Sequence, residues 1–290
     1  MAGTWVRSDA VLETAMPDHD ERRLTIMRRL LVAGILGCVL TASPAVAASC
    51  GGDFETFLST FRREAAQQGI SPRALAALDG VTPNPQVISL DHRQGVFGQS
   101  FEQFSGHRIA ERLGRGQRMM LVHASMLQRI EAQFGVPGSI VIAIWGLETD
   151  FGADVGKQPV LRALATLAHD CRRSQMFQGE LLAALQIIDR GDLSAAEMRG
   201  AWAGELGQAQ FLPSNYLKYA VDFDGNGRRD LIRSVPDTLA SIANLLKSFG
   251  WQPGGSYREG SANFSVLAAW NKSTVYQKTI AAFAERLDGR

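Results

Sequence analysis

Apolar positions recur at threes and fours along most of the chain beyond Asp53, the period of helices with one buried face. Phe54, Phe57, Leu58 and Phe61 set the first such stripe, and Ser71-Pro72 opens a second, short helix. Residues 109–134 read as one or two helices interrupted near Gly114 and Gly116. Gly135-Val136-Pro137-Gly138 then breaks the pattern, with Ser139 placed to cap the next helix. Residues 140–148 form the most apolar helical stretch of the chain. Further helices are predicted near 160–169, 176–190 and 236–249, the last stopped by Gly250. Residues 200–235 and 252–263 carry Gly, Pro, Asn and Ser without a helical stripe, leaving room for short strands. The pattern predicts one mainly helical α+β globule with no internal repeat and no low-complexity linker.

The first fifty residues are organised differently. Arg28-Arg29 precede the apolar run 30–40, and Ala45-Val46-Ala47 comes after it. A basic flank, a short apolar core and small residues at a cleavage spacing predict a secretory signal over 27–47, too short to serve as a membrane anchor. Residues 1–26 are read as an upstream extension or a misassigned start, and 48–290 as the exported domain. Cys38 lies inside the apolar run, and Cys50 lacks an aliphatic residue three positions earlier, which disfavours a lipoprotein. A periplasmic location is expected.

Composition narrows the classes further. With 46% hydrophobic and 20% charged residues the chain is globular, and a formal charge of +1 argues against a nucleic-acid partner held through phosphates. Export changes the reading of the three cysteines. Cys38 leaves with the signal, so Cys50 and Cys171 remain in an oxidising compartment, where an even pair favours a disulfide. Two separate buried thiols are the alternative.

Three constellations carry candidate chemistry. Glu148 closes the apolar helix and shares a face with Ile144 and Trp145, at spacings of four and three. Apolar surroundings favour the neutral form of a carboxyl group, which a general acid near neutral pH requires. An ordinary solvated helix-end glutamate is the plainer alternative. Asp222, Asp224 and Asn226 supply oxygens at positions one, three and five of a loop, with Gly227 at six, the carbonyl of Arg228 at seven and Asp230 at nine. That matches the calcium-loop pattern. Position twelve is Arg233 instead of the bidentate glutamate, and Asp237 is placed to bend back and replace it. An acidic turn that binds nothing is the alternative here. Trp202 to Tyr216 and Trp270 to Tyr276 combine small, amide and aromatic side chains, a composition suited to sugar hydroxyls and ring faces. His92, His107, His123 and His169 show no metal-ligand spacing.

Taken in order, these motifs resemble the lytic murein transglycosylase B family. Gly135-Val136-Pro137, the run 143–149 and Phe151-Gly152 carry the resemblance first. Leu164-Ala165-Thr166-Leu167-Ala168, Arg172-Arg173 and Gly179-Glu180-Leu181 continue it, with the stretches at 202–216, 222–230, 250–251 and 270–276 after them. The resemblance runs from about Cys50 to the end. It implies a mainly helical α+β, lysozyme-like fold with a deep glycan-binding groove, with Glu148 as sole catalytic acid and base. Arg172, Arg173, Gln210, Asn271 and Tyr276 match positions that contact the glycan or its peptide. Asp222, Asp224, Asn226, Arg228, Asp230 and Asp237 match the calcium loop, making Ca2+ an expected structural cofactor. Ala201, Leu245, Met176 and Glu205 depart from residues common in the family, which touches individual sugar contacts.

The implied reaction cleaves the bond from N-acetylmuramic acid to N-acetylglucosamine in peptidoglycan strands without water, leaving 1,6-anhydro ends. The expected form is a monomer with no stable membrane anchor. Two rival readings stay open at this point. One is a two-carboxylate muramidase using Glu205 or Asp154 beside Glu148. The other is a non-catalytic calcium- and glycan-binding envelope protein.

Overall fold

The computed structural model describes residues 48–93 and 100–289; the predicted signal at 27–47 and the segment before it lie outside the described residues. Helix α1 spans Phe54–Gln67, α2 Pro72–Leu75, α3 Pro85–His92, α4 Phe101–Val122, α5 Ala124–Phe134 and α6 Gly138–Thr149. After the two-residue strand β1 (Gln158–Pro159) come α7 (Val160–His169) and α8 (Ser174–Arg190). Strand β2 (Arg199–Gly200) precedes α9 (Pro213–Tyr219), α10 (Val235–Ser248), α11 (Ala262–Val266) and α12 (Thr274–Leu287). Helices thus carry the architecture. The strand content among the described residues is one antiparallel pair, β1 with β2, extended by bridges from Gly200 to Leu206 and from Leu206 to Phe211. The region 252–263 holds no strand.

Helix α6 is the centre of the packing. Every one of its residues is buried, as its all-round apolar sequence requires. Helices α4, α5, α10 and α12 surround it, while α7 and α8 pack as a pair beside α2, α3 and α9. Local chemistry sets many of the helix starts. Asp53, Ser71, Asn84, Ser234 and Ser261 each accept a first-turn N–H, and Ser100 with Gln103 forms a reciprocal capping box. Ser139 does not cap α6 as its position suggested. Pro137 occupies the cap, and the Ser139 hydroxyl is buried without a partner.

Two further expectations change. The interruption predicted near Gly114 and Gly116 falls at His123, and α4 runs straight through both glycines. Gly116 suits close packing: a Cβ would lie 2.8 Å from Leu287 Cδ2 and 3.2 Å from Phe283 Cζ, so those side chains of α12 would have to shift to admit it. Helix α9 lies within a stretch whose pattern predicts no helix, although Pro213 at its first turn suits a helix start. It buries Tyr216 completely.

The cysteine pair forms as expected. Cys50 and Cys171 are bonded across 121 residues of sequence. Beside the bond, the Gly51 N–H donates to the His169 carbonyl at 2.8 Å, and Gln178 Nε2 donates to the Ala48 carbonyl at 2.9 Å. The start of the described chain is therefore fastened to the turn between α7 and α8. Among the described residues no single helix is long and apolar enough to cross a membrane.

Candidate active site

Glu148 sits in the last turn of α6 and is 1% exposed. Its Oε1 accepts two hydrogen bonds, from Trp270 Nε1 at 2.9 Å and from the Tyr276 hydroxyl at 2.5 Å. Oε2 is buried without a partner. A buried carboxylate oxygen left unmet costs free energy comparable to a lost hydrogen bond, so it is retained where chemistry needs it. Trp270 lies 122 residues away in sequence from Glu148, and nothing local to either residue announces the contact. In the sequence Trp270 stands out only as part of a polar and aromatic stretch.

The backbone after Glu148 turns sharply. Asp150, Phe151 and Gly152 all have positive φ, as does Gln210 in the loop that approaches it. Left-handed non-glycine residues are uncommon and cluster where the surrounding structure over-determines the chain. Arg112 Nε donates to the Gly146 carbonyl and Arg115 to Asp150, so two cations of α4 cover the carbonyl end of α6. Gly152 admits no side chain, because a Cβ there would stand 2.4 Å from Gln208 Oε1.

The other predicted contact residues fall in three places. Gln210 and Ala201 line a cavity of about 480 Å³ with Gln86, Leu90, Lys157 and Trp202. Gln210 Nε2 donates to the carbonyls of Val155 and Gly207, which fixes the amide orientation and leaves Oε1 an acceptor without a donor. Arg172 and Arg173 both pair with the buried Asp91 of α3, a residue the sequence pattern does not single out. Asn271 is buried; its Oδ1 accepts from the Ser273 N–H at 2.9 Å and its carbonyl from Gln277 Nε2, so it shapes the turn into α12. Tyr276 is buried with its hydroxyl on Glu148. Of the two residues considered as a second carboxylate, Glu205 is fully buried and Asp154 exposed.

The acidic loop folds around its own amides. Asp222 accepts from the N–H groups of Gly225, Asn226 and Gly227, and Asn226 Oδ1 accepts from Arg228. Carboxylate oxygens of Asp222, Asp224 and Asp237 lie within 4.8 Å of one another. Burial pushes the Asp237 carboxyl above the usual carboxylate range, with the charge of Asp224 adding to the effect. Three converging carboxylates are a hard-oxygen donor set, and a bound cation would offset their mutual repulsion. These residues fit calcium. Asp230 is engaged elsewhere, accepting from the Ile232 and Arg233 amides and pairing with Arg233 Nε at 2.7 Å.

Residues 53–260 match the family model described as the transglycosylase SLT domain. The chain is 40% identical to membrane-bound lytic murein transglycosylase B of Escherichia coli strain K12 over 129 residues, 44% of this chain and 36% of that relative. The match therefore spans little more than a third of the curated relative's length. SltB3 from Pseudomonas aeruginosa, solved in complex with NAG-anhNAM-pentapeptide, superposes with a TM-score of 0.78 at 30% identity, covering 82% of this chain and 80% of SltB3. The Escherichia coli lytic transglycosylase Slt35, solved in complex with calcium, shares the fold at 24% identity with a TM-score of 0.72, covering 83% of this chain and 96% of its own. With well over half its length matched by the family model, this chain belongs to the transglycosylase SLT domain family.

Proposed function

We propose that this protein is a periplasmic lytic transglycosylase that cleaves peptidoglycan glycan strands between N-acetylmuramic acid and N-acetylglucosamine. One observation carries the reading: a fully buried glutamate whose Oε1 is held by two donors and whose Oε2 keeps its hydrogen-bonding capacity unspent. Glu148 gives its proton to the glycosidic oxygen, the departing strand leaves with it, and the muramoyl N-acetyl group supports the positive charge developing at C1. The carboxylate, now ionised, takes the proton of the same sugar's 6-hydroxyl, whose oxygen closes on C1. An internal nucleophile needs no second residue to place water, so one carboxylate serves both steps. Neither Glu205 nor Asp154 is required. Trp270 and Tyr276 hold the acid, and Gln210, with Arg172 and Arg173 beside it in role, contacts the glycan or its peptide stem.

Mass spectrometry of products from purified peptidoglycan tests this directly. Fragments ending in 1,6-anhydromuramic acid, lighter by one water than hydrolysis products, are expected. Reducing ends would instead establish a muramidase, and intact strands a binding protein.

Asp222, Asp224, Asn226, the Arg228 carbonyl and Asp237 would hold calcium, whose chemistry there is to neutralise the clustered carboxylates and stiffen the loop. Free calcium at about a hundredfold above Kd would stabilise the fold by ~2.7 kcal/mol, a rise in melting temperature of roughly 5–10 °C for a domain of this size. Asp224→Ala is expected to abolish that rise. A melting curve indifferent to both calcium and chelator in the parent protein would reduce the loop to a turn.

A further inference from the structure

We infer that Gln208 is a positioning residue that ties the acidic loop to the catalytic turn, so that the geometry of residues 222–237 sets the placement of Glu148; this rests on the reading of Glu148 as the acid. Gln208 is 6% exposed and reaches both segments at once. Toward the loop exit, its backbone N–H donates to the Leu231 carbonyl at 2.7 Å and its Nε2 donates to the Ile232 carbonyl at 3.0 Å. Toward the catalytic helix, its Oε1 accepts from Trp145 Nε1 at 3.1 Å and its carbonyl accepts from Thr149 Oγ1 at 2.7 Å. Trp145 and Thr149 stand three residues before and one residue after Glu148. All four polar groups of one residue are thus spent on a single bridge.

The bridge is continuous on both sides. At the loop, Asp237 Oδ2 accepts from the Asp230 N–H, and Asp230 Oδ1 accepts from Ile232 and Arg233, so the aspartates fix the very peptides whose carbonyls Gln208 reaches. At the helix, Thr149 Oγ1 also accepts from the Gly152 N–H at 3.1 Å, tying in the left-handed turn. The approach is close throughout: a Cβ at Gly207 would lie 2.2 Å from the Leu231 carbonyl oxygen. The amide orientation admits no exchange, since Oε1 faces an indole donor and Nε2 faces a carbonyl. The carboxylate end of Glu148 is held separately by Trp270 and Tyr276. Gln208 therefore governs where the backbone of Glu148 sits, not how its oxygens are partnered.

Displacing a catalytic group by about 1 Å costs on the order of a hundredfold in rate, whereas substrate binding over many subsites is little affected. Gln208→Leu in the exported chain is thus expected to lower kcat by roughly ten- to a hundredfold with KM changed less than about threefold. The indole N–H resonance of Trp145, assigned by comparison with Trp145→Phe, provides a readout independent of activity. It is expected to shift in Gln208→Leu. It is also expected to shift on Asp224→Ala in the parent protein, but not on Asp224→Ala in the Gln208→Leu background. Should Gln208→Leu fail to fold, Gln208→Glu keeps the acceptor for Trp145, loses the donor to Ile232, and is expected to uncouple the resonance from Asp224→Ala. A kcat within threefold of the parent, or an indole resonance blind to Asp224→Ala when Gln208 is present, overturns the inference. An active Glu148→Gln protein would instead overturn the catalytic reading, leaving the resonance to judge the bridge alone.

Discussion

Glu148→Gln is expected to give a folded protein whose turnover of purified peptidoglycan falls by at least ~10²–10⁴-fold, the usual cost of losing a general acid. The amide keeps the shape of the side chain, and its oxygen still accepts from Trp270 and Tyr276, so the packing of the turn survives. The group replacing Oε2 cannot give up a proton to a leaving alkoxide, nor later accept one from the 6-hydroxyl. Because one residue serves as acid and then as base, the loss lies toward the upper end of that range or beyond it. Unchanged melting with abolished product formation is the expected pair of results. Turnover within threefold of the parent would sink the assignment and reopen the two-carboxylate alternative.

The second large effect concerns the Cys50–Cys171 bond. Cross-linking a loop of this length, 121 residues, removes chain entropy from the unfolded state worth about 4–5 kcal/mol in the simplest treatment. Reduction is expected to lower the melting temperature by on the order of 10 °C. The bond also fastens Ala48 and Gly51 beside the turn that carries Arg172 and Arg173, so its loss frees the segment next to those side chains. Protein taken from the periplasm is expected to contain no alkylatable thiol. Intact-mass measurement reads two things at once, the mature N-terminus at Ala48 and the two-hydrogen deficit of the disulfide. Two alkylatable thiols without reductant, or a lipid on Cys50, would overturn this picture of processing.

Features that depend on near neighbours are legible in the chain alone. The all-apolar run 140–148 has to be buried on every side, so α6 and the place of Glu148 at its end can be read without coordinates. The acidic loop is legible for the same reason, since its oxygens recur at fixed short spacing, and the cysteine pair comes from parity under the expected export. Boundaries read less well where a residue serves a distant partner. Gly116 looks like a break but is the floor on which Leu287 and Phe283 rest, and Ser139 looks like a cap but is buried behind Pro137.

The sequence by itself determined a mainly helical domain, its candidate acid and its candidate cation loop, because periodicity and ligand spacing act over a few residues. Only the tertiary structure decided which oxygen of Glu148 is held and which is not, that Asp91 gathers Arg172 and Arg173, and that Gln208 spans loop and helix. The partners in those contacts are far apart along the chain, from 24 positions for Gln208 and Ile232 to 128 for Glu148 and Tyr276. Hydrogen bonds of that kind are selected by the packing of whole helices, which brings the partners within about 3 Å, and no local pattern along the chain encodes that approach.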